Sequence, residues 1–463
     1  MLFNSLPFLF FIVLFAAGWP LARRRDGSRW VYIIACSLFF YGWWNWKYVP
    51  LLVATALVDF AAGLAIHVWR KHARKFLLAS ILMNLGVLGY FKYWFAVASA
   101  IDVTSRQLGV PLGLHVERWI LPVGISFYTF QSMSYTIDIY WGRLTPTRNP
   151  LHFLAAISFF PHLVAGPIMR AGKLLPQLLS GNPASGGAKA EGLRLLVHGY
   201  FKKMVIADNL SGLVDSAFTS PVSFHSGFEW WVIMAMFSMQ IYCDFSGYSD
   251  IGRGIARWCG YDFGVNFRHP YAATSIREFW QRWHISLSSW FRDYVYLPLG
   301  GSRGSEVATC RNIAVTMLLS AIWHGAGLTY LVWGALHAAY MIAGRFASGA
   351  LAAVAPWLRA LAGRPLLWVQ VMLAWVFFRA SSTEQAAEIA GAMFGMRSLA
   401  MGLSRTALFF LVVGIVHEVA TYFLDRREPE QLIRTAEALG LAMLVVACVF
   451  LRGPAGAFIY FQF

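Results

Sequence analysis

Apolar residues run along this chain in long blocks, separated by short basic or glycine-rich breaks. The first block, Phe3 to Ala22, is followed by Arg23, Arg24, Arg25 and Arg29. Others lie near residues 30–46, 50–69, 76–98, 120–141 and 151–169, then near 228–246, 312–343, 366–379, 406–424 and 438–452. A helix needs about 20 apolar residues to cross the hydrocarbon of a bilayer. Most blocks approach that length, although Gly or Pro interrupts some, and together they predict about ten to twelve spans. Two stretches are too polar for simple spans. Residues 181–204 open rich in Gly, Ser and Ala and continue as an amphipathic segment with Arg194, Lys202 and Lys203, which predicts a loop and then a helix lying in the interface. Residues 251–311 mix eight arginines with many Trp, Phe and Tyr, which predicts a segment folded between headgroups and protein. The expected fold class is all-α: a polytopic integral membrane protein with re-entrant or interfacial helices added.

Composition removes the soluble alternatives. Hydrophobic residues make up 58% of the 463 and charged residues only 13%, too apolar for a row of small soluble domains. The net charge of +16 comes from 38 Lys and Arg against 22 Asp and Glu. No basic soluble module interleaved with aromatics is present to bind nucleic acid, so the excess fits the positive-inside bias and contact with anionic lipids. The five cysteines are scattered without CxxC spacing and read as small buried hydrophobes.

Charge also sets an orientation. Positive residues follow the first apolar block, whereas a cleavable signal peptide carries them before it. The block is therefore expected to stay, with its amino terminus outside. Arg23–Arg29 and the cluster Arg70, Lys71, Arg74 and Lys75 then both face the cytoplasm, while the loop near Lys47 carries little charge and 101–118 is mixed.

Ionisable groups within apolar runs are candidates for function, because burying them is costly. His324 lies in Ala321-Ile322-Trp323-His324-Gly325-Ala326 with no acid within a helical turn. It reads either as a core histidine or as a general base working near neutral pH. Gly325 and Gly327 would admit a substrate or a second helix, and His337 in the same run favours core packing. Between Arg277 and Tyr294, a helical reading puts Arg277, Trp280, His284, Ser288 and Phe291 on one face. Such a face suits a phosphorylated, ring-bearing ligand, or lipid phosphates beneath an aromatic belt. Asp59, Asp138, Asp244 and Asp250 favour internal pairing, and Ser246-Gly247-Tyr248 suggests a helix break there. No carboxylate or close His pair supports a metal at His284, His324 and His337, so none is expected. HExxH, P-loop and GxSxG motifs are absent from the sequence.

Longer motifs carry a resemblance. They are Pro122-Val123-Gly124-Ile125-Ser126-Phe127-Tyr128-Thr129-Phe130-Gln131, Phe160-Pro161-His162, Ala165-Gly166-Pro167-Ile168, Asp244 to Ile251, and Asn266-Phe267 with Pro270-Tyr271. Glu278-Phe279-Trp280, Trp283 to Ser288, Arg292-Asp293-Tyr294, Pro298-Leu299-Gly300-Gly301, Trp323-His324-Gly325-Ala326 and the ending Phe458 to Phe463 continue the series. Over essentially its whole length the chain resembles the membrane-bound O-acyltransferase family, in the bacterial branch typified by alginate O-acetyltransferase. Ser302 after the two glycines and Ala321-Ile322 before Trp323 depart from the branch pattern and put the subfamily in doubt.

The resemblance implies one acyltransferase domain over 1–463, with a catalytic segment at 251–346. It implies acyl transfer from a cytoplasmic thioester to a hydroxyl presented from the far side of a bacterial inner membrane. His324 matches the family's catalytic histidine, and His284 a second important one. Acetyl-CoA, or another acyl-CoA or acyl carrier, is the expected donor substrate, with no permanently bound cofactor. Trp323, Arg277, Arg282, Arg292 and Asp293 are the expected substrate contacts. Expected partners are a periplasmic transferase or acceptor protein, a polysaccharide acceptor such as alginate, and membrane lipids. Sister activities remain open: O-acetylation of peptidoglycan or cellulose, and D-alanyl transfer to teichoic acid. So do a non-enzymatic acyl conduit or export subunit and a scaffold.

Overall fold

The first apolar block becomes the helix Leu6–Ala22 in the computed structural model of the chain. Ser5 caps it, its hydroxyl oxygen accepting the Phe8 N–H. Phe8, Phe11, Phe15 and Trp19 recur every three or four residues on its buried face, while Leu6, Phe10 and Leu14 on the other side are about 70% exposed. A helix apolar all round with one face open is built to meet lipid. The structure describes residues 1–110, 112, 120–164, 166–351, 355–395, 402–426, 431–456 and 458–459, with backbone alone at 348–351, 356 and 431–436. These residues form helices, turns and loops and no strand, so the chain is all-α. Parts of the 101–118 loop, and the ending from 460 to 463, lie outside them.

Two compact units divide the chain: Met1–Leu193 with Gly252–Gly264, and Arg194–Ile251 with Val265–Phe463. In the first, two stretches, Asp26–Val68 and Arg70–Lys92, are long and apolar enough to cross a bilayer, and Leu6–Ala22 is a shorter apolar helix. Helices Asp26–Asn45 and Val49–Val68 are separated by a tight turn at Trp46–Tyr48, and Ala73–Lys92 follows. Trp43, Trp46, Trp69 and Trp94, all exposed, sit at or beside these helix ends, where an aromatic belt would lie. Blocks 120–141 and 151–169 are not simple spans: they fold as Ile125–Tyr140 and Pro150–Ser158, of 16 and 9 residues. Ile125–Tyr140 is buried almost throughout and packs on Val49–Val68, where the bare Gly63 faces the Tyr135 ring. Arg29, expected in an exposed basic loop, is instead buried and bonded to Asp26.

The second unit holds two more stretches long and apolar enough to cross, Trp357–Arg379 and Arg405–Leu424. Glu437–Phe450 is a shorter apolar one. Its polar helices differ from expectation. Lys202 and Lys203 do not lie in an interface. They are buried on a π-helical turn, Phe201–Ala207, where Lys202 pairs with Asp250 and Lys203 sits 2.8 Å from Asp208 and 2.7 Å from Asp244. Asp208 is close along the chain, but Asp244 and Asp250 stand more than 40 residues on, beyond the reach of a local reading. Nor does the helix break at residues 246–248, for Gly227–Cys259 runs on for 33 residues. Gly247 is there for contact: a β-carbon on it would come within 2.8 Å of the Gly199 carbonyl.

Candidate active site

Two helices of the second unit, Glu306–His324 and Leu328–Leu351, form a tight antiparallel pair. The first starts at Ser305, whose hydroxyl oxygen accepts the Ala308 N–H at 3.2 Å. Before it, Gly300 and Gly301 turn at φ +106° and +58°, and the Asn312 amide pins that turn by donating to Leu299 O and Gly301 O at 3.1 and 3.0 Å. The helix ends with His324 in its last turn, and Gly325 leaves it extended. The missing side chain of Gly325 leaves room for the Tyr330 ring, so this glycine serves packing within the turn. At Gly334 a β-carbon would stand 2.6 Å from that of Ala321, which is how closely the pair approaches.

This geometry brings histidines and indoles into one alternating series. From His284, ring centroids step 6.2 Å to Trp323, 4.9 Å to His324, 5.1 Å to Trp333 and 4.9 Å to His337. Phe378 meets His324 edge-on at 5.3 Å, and Phe245 meets His284 at 4.6 Å. All three imidazoles are buried. His337, expected to be a core residue, accepts the Trp280 indole N–H at Nδ1, 3.3 Å away. His324, Trp323 and His284 are thus gathered together, with an uncharged aromatic wall around them. An imidazole so placed can take and return a proton.

The single helical face expected over residues 277–294 does not exist. The chain forms Ile276–Arg282, kinks, continues as Ile285–Phe291 and relaxes into a π-helical turn at Arg292–Tyr296. The kink is His284 itself, in the left-handed region at φ +42°. A bracket holds it there: Asn266 O accepts the Ile285 N–H at 2.8 Å, and Arg282 O accepts the Arg268 N–H at 2.9 Å. The kink takes His284 off the continuous face a single helix would give it, and its ring meets Trp323.

The expected phosphate contacts separate. Arg282 is committed to Glu278, at 3.0 and 2.6 Å, and to Arg268 O. Burial pushes the Glu278 carboxyl up, but the Thr274 N–H and hydroxyl and the Arg282 guanidinium hold it below its ordinary value. Arg292 is paired bidentately with Asp293, Nε to Oδ1 at 2.7 Å and Nη2 to Oδ2 at 3.2 Å, which places Asp293 as its partner. Arg277 is exposed and makes no ion pair among the described residues. Asn266 and Trp333 have no role in the sequence reading. The available signal was a buried amide among aromatics, which burial statistics make unusual but local spacing does not reveal.

Fold and rings together define the class: an integral membrane protein, all helix where it is regular, that keeps ionisable imidazoles buried as membrane enzymes do. A family model for membrane-bound O-acyltransferases matches residues 146–383. A probable alginate O-acetylase of Pseudomonas aeruginosa is 39% identical over 89% of this chain and 79% of its own length. A peptidoglycan O-acetyltransferase of Helicobacter pylori is 34% identical over 82% and 77%. A teichoic acid D-alanyltransferase of Bacillus subtilis is 28% identical over 47% and 58%. The chain belongs to the membrane-bound O-acyltransferase family, and it is an acyltransferase.

Proposed function

We propose that this enzyme moves an acetyl group from a cytoplasmic thioester, acetyl-CoA, to hydroxyls of a cell-surface polysaccharide of the alginate type. The bacterial inner membrane lies between them, with the amino terminus outside. The observation that carries the reading is His324, buried at a helix end between two indoles and one indole removed from a second imidazole. The names of the alginate relatives support the acceptor class.

In the proposed step, His324 takes the proton of the acceptor hydroxyl as its oxygen attacks the thioester carbonyl. The new C–O bond forms, the C–S bond breaks, and the leaving thiolate takes that proton back from His324, so the balance closes without another reactant. The Trp323 indole, which can only donate, is suited to the oxyanion. Arg277 is the exposed cation left to meet the donor's phosphates. A periplasmic transferase or acceptor protein presents the glycan. The Helicobacter pylori relative favours one second reading, in which the acceptor is peptidoglycan.

Membrane vesicles carrying the full chain, given acetyl-CoA labelled in its acetyl group, test this. Ester label in alginate oligosaccharide that disappears in His324→Ala is expected. Label confined to peptidoglycan fragments would overturn the acceptor, and label that persists in His324→Ala would overturn the mechanism.

A further inference from the structure

His284 is held by a residue to which no role has been given, and the manner of holding decides its chemistry. Asn266 is fully buried. One oxygen-bearing end of its side chain meets the Ser286 backbone N–H at 3.2 Å and the Ser286 hydroxyl at 2.9 Å. A backbone N–H can only donate, so the atom facing it is the carbonyl Oδ1. The amide Nδ2 then points to Ser249 Oγ, 3.1 Å away. The same Oδ1 lies 3.3 Å from His284 Nδ1. A carbonyl oxygen repels a nitrogen lone pair and attracts an N–H, so the imidazole hydrogen belongs on Nδ1. The Ser286 hydroxyl, 3.5 Å from Nδ1, spends its hydrogen on Asn266 at the shorter distance and turns a lone pair to the ring as well.

We propose that Asn266 is a positioning residue that fixes His284 as the Nδ1–H tautomer, making its Nε2 the acceptor for the O–H or S–H of a reactant. The catalytic consequence rests on the acyl-transfer reading, whereas the tautomer does not. A neutral ring with hydrogen on Nδ1 carries its lone pair on Nε2. It orients a hydroxyl or thiol hydrogen and cannot donate to an oxyanion, which leaves that task to Trp323. Phe245, Phe267 and Trp323 pack around the ring, and with Asn266 and Ser286 they present no charge to it. The backbone agrees: His284 and His269 are the non-glycine residues with positive φ among those described, and such strain persists where surroundings over-determine it. For His284 those surroundings are the hydrogen bonds that Asn266 makes with its backbone carbonyl and side chain.

The first measurement uses the full chain in detergent with 15N-labelled histidine, assigning His284 by difference against His284→Gln. A hydrogen on Nδ1 and a bare Nε2 at neutral pH are expected; an Nε2–H or doubly protonated ring would overturn the proposal. This arm is independent of any donor or acceptor. The second follows thiol release from acetyl-CoA against pH. Asn266→Ala should lower kcat by about tenfold or more at near-constant KM, as loss of an orienting group does. Asn266→Asp keeps the acceptor oxygen and lets the Ser249 hydroxyl donate to it. It should restore kcat at high pH while moving the acidic limb up by about one unit or more, since a carboxylate so close favours the imidazolium. An unshifted pH profile in Asn266→Asp, or full kcat in Asn266→Ala, contradicts the role.

Discussion

Asp59 in the first unit and His284 in the second are both fully buried polar residues on largely apolar elements, yet they are treated in opposite ways. Asp59 is surrounded by donors: the Ser80 hydroxyl at 2.6 Å and the Asn84 amide at 2.9 Å to each oxygen. Lys203, held between Asp208 and Asp244, is a charged version of the same solution. His284 and His324 are instead walled by Phe245, Trp323, Trp333 and Phe378, with the neutral Asn266 amide and Ser286 hydroxyl beside His284. Buried charge that is answered by charge or by several donors locks helices together. A buried neutral base walled by rings can offer its lone pair to a reactant. On the proposed mechanism, the contrast separates residues that hold the fold from residues that act.

The largest effect on stability should come from Lys203→Met, which strands two buried carboxylates. Breaking a buried pair in this way costs about 3–5 kcal/mol. Thermal unfolding and monodispersity in detergent would read it. Asp59→Asn should cost less, about 1–3 kcal/mol, because it sets one amide N–H against the Asn84 donor. Any activity per folded molecule should survive, and a selective loss of activity would blur the comparison.

His269 sharpens it through pH. Burial works against its charge, but hydrogen bonds to Asp425 and Glu418, at 3.1 and 2.9 Å, hold its pKa up to about 9. A histidine raised above its unfolded value, roughly 6.5, stabilises fully below that value and loses the effect as pH climbs through about 9. His269→Ala should therefore melt lower than the parent at pH 6, and the two curves should converge by about pH 10. Arg277→Ala is expected to do little, raising KM for acetyl-CoA by about two- to fivefold with kcat unchanged, since exposed charge is screened. Arg282→Ala and Arg292→Ala, whose charges are already answered by Glu278 and Asp293, should move KM less still.

Much of this contrast was legible in the sequence. The apolar blocks give the helical membrane class, and His324 stands out as an ionisable residue in an apolar run with no acid within a turn. What local reading misses depends on partners distant along the chain. The kink at His284 exists because Asn266, 18 residues earlier, brackets it. Lys202 and Lys203 look interfacial until Asp250 and Asp244 are folded against them. The unbroken helix at Gly247 follows from the Gly199 backbone, which no periodicity announces. Arg282 and Arg292 looked like ligands for phosphate, although their carboxylate partners, Glu278 and Asp293, were within a few residues.

One paired measurement bears most directly on the account: melting temperature and acetyl-CoA thiol release, determined together for the parent, His324→Ala and Lys203→Met. His324→Ala should melt like the parent while releasing thiol about 100-fold more slowly or worse, the range for loss of a general base. Lys203→Met should melt far lower while its folded fraction still releases thiol. Thiol release that survives in His324→Ala, or is lost from folded Lys203→Met, would contradict the division between residues that hold and residues that act.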